Sequence, residues 1–269
     1  MFDNTEMELT KSICCWYDLL GYGSPFVEAS WNLTAPKCKK NLERVMRMGS
    51  WRWGCISLIY GPKLLLNDGV AACIDLHEDV RSVSRALNYL EAMIADYQSL
   101  RDIDEREGNP GIRGVISCGD RFDYDSANTT VTGSAETITF YHPKEFQMNT
   151  AFSKAFIIEE SGKKAGVAGS NLYIDYDVFE LFNSFLSKFE GSVEIIRNEN
   201  EIVAKIILGV WYATLHFDKE TVLYKNKGID TELFRFIDME SYPEDLSREA
   251  AYQQAVRYSM MEDDDDLKD

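Results

Sequence analysis

Short apolar runs alternate along this chain with stretches in which apolar residues recur every three or four positions, and that alternation limits the fold more than any other feature. Ser12 to Gly23 is an apolar run interrupted by one Asp and closed by two glycines, the pattern of a strand entering a turn. Ser24-Pro25 opens a helical stretch with apolar residues from Phe26 through Met46. Two apolar stretches follow, Trp51 to Tyr60 and Lys63 to Asp75, divided at Gly61-Pro62, and the second is broken again at the hairpin-like Asn67-Asp68-Gly69. From Leu76 to Arg106 the spacing is helical, through Val83, Leu87, Leu90, Ile94 and Tyr97. A strand is expected over Ile112 to Gly119 and a helix over Glu145 to Glu160. Beyond them a strand at Asn171 to Asp175, a helix at Val178 to Phe189, and strands at Val193 to Ile196, Ile202 to Leu208 and Trp211 to Phe217 complete the pattern. The fold class expected is α+β, an α/β sandwich in which helices cover a mostly antiparallel sheet. Residues 10–240 read as one domain with a C-terminal strand extension, and residues 241–269 as an amphipathic helix (Glu244 to Met261) and an acidic tail.

The net charge of −17, from 45 acidic and 28 basic residues, argues against general affinity for nucleic acid or an anionic membrane. An anionic substrate then needs divalent cations, backbone N–H groups and a few placed Lys or Arg. The six cysteines form no CxxC pair and the three histidines no ligand pattern with them, which disfavours zinc and fits a reducing cytoplasm. The acidic, polar start and the lack of an 18-residue apolar run lead us to expect a soluble, cytoplasmic protein.

Asp18 and Asp68 share a peculiarity. Each follows an apolar run, Ile-Cys-Cys-Trp-Tyr or Leu-Leu-Leu, where a carboxylate is costly unless something pairs it, and each lies near a glycine that lets backbone approach a ligand. Two such carboxylates brought together can hold two Mg²⁺ or Mn²⁺ ions and serve phosphoryl chemistry. Taken singly, either Asp is equally a residue of an ordinary turn.

The residues then resemble a family. Asp18-Leu19-Leu20-Gly21-Tyr22 is similar to the first-strand signature of class III nucleotidyl cyclases, and Asn67-Asp68-Gly69-Val70 to the hairpin that carries their second metal Asp. Ile112-Arg113-Gly114-Val115-Ile116-Ser117-Cys118-Gly119-Asp120 resembles their next core strand, and Met148-Asn149-Thr150-Ala151-Phe152-Ser153-Lys154-Ala155 their ribose- and phosphate-contacting helix. Among these enzymes the motifs look most like the pyrimidine nucleotide cyclases of bacterial Pycsar anti-phage systems.

The resemblance implies two cations, Mn²⁺ or Mg²⁺, held by Asp18, Asp68 and Leu19. It implies phosphates cradled by the Leu19 to Gly23 turn, with Leu20, Gly21 and Tyr22 against the substrate and Asn149, Ser153 and Lys154 reaching it from the helix. It also implies a homodimer whose sites lie at the interface, a nucleoside triphosphate substrate with UTP favoured, and a separate effector that senses the product. Cyclic UMP is expected ahead of cyclic CMP, then cyclic AMP or GMP; a catalytically inactive nucleotide-binding domain and an unrelated metal-dependent phosphoryl-transfer enzyme are the alternatives. The chain departs from the family at Ser153, which stands where an Arg is usual, with Lys154 beside it as a replacement cation. Tyr224-Lys225-Asn226-Lys227-Gly228 resembles a late phosphate-contacting element, making Lys225 and Lys227 candidates. Arg113 is either a substrate ligand or a salt-bridge partner, Asn149 a ligand or a helix cap, and Trp51, Trp53 and Tyr60 either stack on a base or pack in the core.

Overall fold

A computed structural model describes residues 8–50, 63–123, 129–132, 137–140, 143–209 and 211–241. Trp51, Trp53, Cys55, Tyr60, the Gly61-Pro62 turn and the expected C-terminal helix and tail lie outside the described residues.

Strand β1 (Glu8–Leu19) is the spine. Its six residues Ser12–Tyr17 are all buried, because both faces of the strand are covered and both edges are paired. The chain continues through the short helix α1 (Ser24–Glu28), α2 (Pro36–Ser50), the hairpin β2 (Lys63–Leu66) and β3 (Gly69–Leu76), the long helix α3 (Val80–Arg106) and β4 (Ile112–Asp123). A small hairpin, β5 (Thr129–Thr132) and β6 (Thr137–Phe140), precedes α4 (Thr150–Ser161), β7 (Leu172–Asp175), α5 (Tyr176–Leu186), β8 (Ser192–Arg197), β9 (Glu201–Leu208), β10 (Trp211–Asp218), β11 (Val222–Asn226) and β12 (Ile229–Ser241). Ten strands form one sheet in the order β2-β3-β1-β4-β7-β12-β10-β9-β8, with β11 paired to β12. Every pairing in it is antiparallel except β4 with β7, so the α+β expectation with a mostly antiparallel sheet stands.

Alternation along β1 divides the core. Ile13, Cys15, Tyr17 and Leu19 face α3 and α5, whereas Cys14 and Trp16 face α4 with Val115, Ala151, Ala155 and Ile158. Helix α3 starts where the Asp79 carboxylate accepts the Ser82 N–H at 2.7 Å, and it sends Tyr89 into the sheet, where the hydroxyl donates to Ala72 O at 2.6 Å. Phe179, Phe217 and Phe234, with ring centroids 5.3–5.8 Å apart, fasten α5 to β10 and β12. Among the described residues no helix is long and apolar enough to cross a membrane.

Several boundaries differ from the sequence reading. The stretch from Ser24 to Met46 is two helices, because Ser30 and Trp31 take left-handed φ values of 49° and 61° and Pro36 starts the second. The helix expected from Glu145 begins only at Thr150: Phe146 N–H turns back onto Pro143 O, Met148 has φ of 49°, and extended Asn149 caps the helix through its side chain. Strands β11 and β12 extend the sheet beyond the expected set, joined by Lys227 and Gly228, both at positive φ as a tight right-twisting hairpin requires.

Gly69 has a steric task at the mouth of the β2–β3 hairpin. A Cβ there would meet Trp16 Cζ2 at 2.1 Å, inside the ring of a side chain that is itself 3% exposed. Gly69→Ala is expected to cost about 2 kcal/mol by overpacking, read as a lower denaturant midpoint at unchanged slope; a midpoint equal to wild type would contradict this packing.

Candidate active site

The register of three adjacent strands assembles the site. Asp18 lies opposite Gly69 on β3 and opposite Arg113 on β4, and the Leu19 N–H donates to the carbonyl of Asp68 at 3.1 Å. The hairpin turn therefore delivers Asp68 beside the end of β1. Both carboxylates line one open cleft of about 610 Å³ together with Leu19, Gly21, Tyr22 and Gly23.

The electrostatics of this cleft are those of an unneutralised carboxylate pair. Burial pushes Asp18 up to about 8, and the negative charges of Glu159 and Asp68 add to the rise, while Arg113 and Arg44 oppose it. Asp68 is also raised, chiefly by burial, against its own backbone hydrogen bond, the Asn67 amide at 2.9 Å and the Arg44 charge. The two arginines do not cancel the pair because each serves another carboxylate first. Arg113 Nε donates to Glu159 at 2.8 Å and its Nη2 meets the same oxygen, whereas Arg44 makes two 2.8 Å bonds to Asp104. Two hard oxygen donors short of positive charge suit Mg²⁺ or Mn²⁺, which keep waters and substrate phosphates among their ligands. Leu19 also lines this cleft, and its carbonyl accepts a long 3.4 Å bond from Tyr22 N–H. Among the described residues no group of three or more His, Cys, Asp or Glu side chains gathers as a ready metal cage.

The turn after β1 is only partly free to receive an anion. Leu19, Leu20 and Tyr22 spend their N–H groups on Asp68 O, Gly111 O and Leu19 O, and Leu20 does not line the cleft. Gly21 stands at φ of 69° with Pro110 Cγ 3.0 Å from where a Cβ would be, so a side chain there is both strained and crowded.

The structure places the remaining predicted residues elsewhere. Asn149 is 2% exposed and caps α4, accepting the Phe152 N–H at 3.1 Å and donating to Ser12 Oγ and Glu145 O. Ser12 lies six residues before Asp18 on the same strand, so Asn149 and Asp18 are about 20 Å apart along it. Ser153 is exposed and bonds back to Asn149 O at 3.1 Å. Lys154 contacts Asp175 at 2.5 Å and Asp177 at 2.6 Å, which ties it to two carboxylates. Lys225 pairs with Asp230 and Lys227 with Glu160 beside a second cleft that also touches Lys164 and Asn226. Arg113 is engaged with Glu159.

Sequence reasoning missed Glu159. Its carboxylate is 5% exposed and accepts from Arg113 and from Trp16 Nε1 at 3.3 Å, which ties α4 to the Asp18 face of β1. The available signal was helical spacing, since Glu159 follows Ala151 and Ala155 on the buried stripe of α4.

No family model matches this chain, and no curated protein matches it. Several solved structures are similar at low identity, three of which follow. The adenylyl cyclase CyaB from P. aeruginosa is 14% identical over 90% of this chain and 100% of that one, with a TM-score of 0.43. The guanylyl cyclase Cya2 is 12% identical over 90% and 98%, with a TM-score of 0.40. A bacterial light-regulated adenylyl cyclase is 12% identical over 94% and 58%, with a TM-score of 0.41.

The raised Asp18 makes the cation-free protein lose stability as pH rises. Its ordinary value is 3.8 and its folded value about 8, so the folded state holds the proton longer than the unfolded state and this contribution falls between about pH 4 and pH 8. In EDTA, Asp18→Asn is expected to unfold at a higher temperature than wild type above about pH 8, the difference closing as pH falls towards 4. A difference independent of pH would show that Asp18 is not held protonated.

Proposed function

We propose that this protein is a nucleotidyl cyclase that converts UTP to 3′,5′-cyclic UMP and pyrophosphate. One observation carries the reading: adjacent strands bring Asp18 and Asp68 into one cleft as a carboxylate pair that the neighbouring arginines leave short of positive charge. Asp18, Asp68 and the Leu19 carbonyl would hold two Mn²⁺ or Mg²⁺ ions, which would supply an activated ribose 3′-hydroxyl and charge neutralisation on the triphosphate. The chain's own groups do the rest. Gly21 and Gly23 offer backbone N–H groups to the outer phosphates, and Tyr22 lines the approach. Arg113 holds Glu159 and so fixes the wall of the site rather than touching substrate.

The second half of the site is proposed to come from a second copy of the chain. In one copy the start of α4 and Asp18 lie about 20 Å apart, too far for the start of α4 and the carboxylate pair to share one small triphosphate. In a homodimer the first turn of α4, with exposed Ser153 and with the largely buried Lys154 just after it, would face the partner's cleft, and Asn149 serves as the cap that sets that turn. Lys227, exposed on the β11–β12 hairpin and paired with Glu160 at the opposite end of α4, is a further candidate cation for the phosphates.

The choice of UTP rests on the Asp-Leu-Leu-Gly-Tyr, Arg-Gly-aliphatic and Asn-x-Ala motifs. The same resemblance supports a role in anti-phage defence, with the cyclic product read by a separate effector.

Incubation with Mn²⁺ and each of the four nucleoside triphosphates is expected to give one cyclic monophosphate and pyrophosphate, with cyclic UMP as the product. Asp18→Ala is expected to reduce the rate by more than about a hundredfold while the protein remains folded. Binding without turnover would point to a nucleotide-binding domain, and phosphate release without a cyclic product to a hydrolase.

A further inference from the structure

Three polar residues, Asn41, Arg44 and Asp104, are buried together behind the turn that follows Asp18, at 2%, 4% and 3% exposure. Burying an Arg–Asp pair is costly unless its remaining bonds are satisfied, and these bonds run to the turn. Arg44 Nη2 donates to Leu20 O at 3.1 Å, and Arg44 Nη1 donates to Asn41 Oδ1 at 3.2 Å. Asn41 Nδ2 donates to Tyr22 O at 2.6 Å. Asp104 accepts the Gly111 N–H at 3.1 Å, and the Gly111 carbonyl accepts the Leu20 N–H at 3.0 Å, which closes the circuit.

Resting on the function proposed above, we infer that Asn41 and Arg44 are positioning residues that aim the anion-binding N–H groups of the cleft. Across a trans peptide the carbonyl of one residue and the N–H of the next point in opposite directions. Arg44 draws the Leu20 carbonyl towards α2, so the Gly21 N–H faces away from α2. Asn41 does the same to the Tyr22 carbonyl and hence to the Gly23 N–H. These two amides have no hydrogen-bond partner among the described residues, whereas those of Leu19, Leu20, Tyr22 and Ser24 are taken. Gly21 and Gly23 also line the Asp18–Asp68 cleft. Residues one helical turn apart on α2 thus lock two alternate peptides of the turn, and Asp104 holds the guanidinium that does so. A glycine-rich turn without this clamp could flip either peptide and present a carbonyl to the phosphates. Lysine cannot replace Arg44 here, because a single ammonium lacks the fork that serves Asp104 and Leu20 O together.

The probe is magnesium tripolyphosphate, titrated calorimetrically into wild type, Asn41→Ala and Arg44→Lys, with Mn²⁺ binding measured on the same samples. Each variant is expected to bind tripolyphosphate about tenfold more weakly, the worth of one charge-assisted or buried hydrogen bond, and to keep its Mn²⁺ affinity within about twofold. Asn41→Ala leaves the Arg44–Asp104 pair intact, so it tests the idea even where Arg44→Lys fails to fold. Tripolyphosphate affinity equal to wild type, or an equal loss of Mn²⁺ and tripolyphosphate binding, overturns the inference. A wild-type protein that makes a cyclic nucleotide yet binds no tripolyphosphate overturns it alone; one that does neither overturns it together with the proposed function.

Discussion

The carboxylate of Asp18 is the constraint around which the site is arranged. It ends a run of six buried residues on a strand paired along both edges, where water is scarce and a negative charge is poorly solvated. Four charged neighbours act on it. Arg113 and Arg44 favour ionisation, Glu159 and Asp68 oppose it, and burial decides the balance towards the protonated form. The arginines fall short because their shortest bonds go to Glu159 and Asp104. A chain that wanted a quiet core would have paired Arg113 with Asp18, which lies directly across the ladder from it. Here Glu159 takes that arginine instead, and the carboxylate pair keeps its appetite for a cation.

The sheet supplies this arrangement through close packing on one face. Gly69 lets the Trp16 ring lie across the hairpin mouth, and Gly119 lets α4 approach β4 to within 2.3 Å of where a Cβ would stand. With α4 that close, Glu159 reaches Trp16 and Arg113 together. Glycines at sheet positions usually weaken a strand; at these two the close approach of a ring and a helix is what the missing side chain makes room for.

What was legible in the sequence were features carried by local periodicity. The long helix, the strands at Ile112 and Ile202, and the broken hairpin at Asn67 all follow from apolar spacing and turn chemistry. The meeting of Asp18 and Asp68 was legible as a peculiarity of two carboxylates after apolar runs, although register alone decides that they become neighbours. The network behind the turn was not legible. Asn41 and Arg44 look like the solvated face of an amphipathic helix until α3 covers them with Asp104, a partner 60 positions away from Arg44. Helix starts were misplaced where side chains cap the backbone, as at Asn149, or where left-handed residues interrupt the pattern, as at Ser30 and Trp31. Strand β12 was missed because its burial does not alternate cleanly: its first half pairs with β7 and β11 and its second half with β10.

Distribution of charge bears on how the proposed site would neutralise its substrate. In a chain of net charge −17, cations opposite the carboxylate pair have to be concentrated somewhere. They are found just past the C-terminal end of α4 and on the neighbouring hairpin, where Lys164, Lys225 and Lys227 border a separate cleft. Each of Lys225 and Lys227 is held by an exposed acidic residue, a pairing worth little in water and therefore readily exchanged for a phosphate. Lys154 is different, because Asp175 is fully buried and its carboxylate would be left without a counter-charge if the lysine moved. Within the proposed dimer, then, Lys154 would act from where it stands, and the hairpin lysines would be the cations freer to move towards a phosphate.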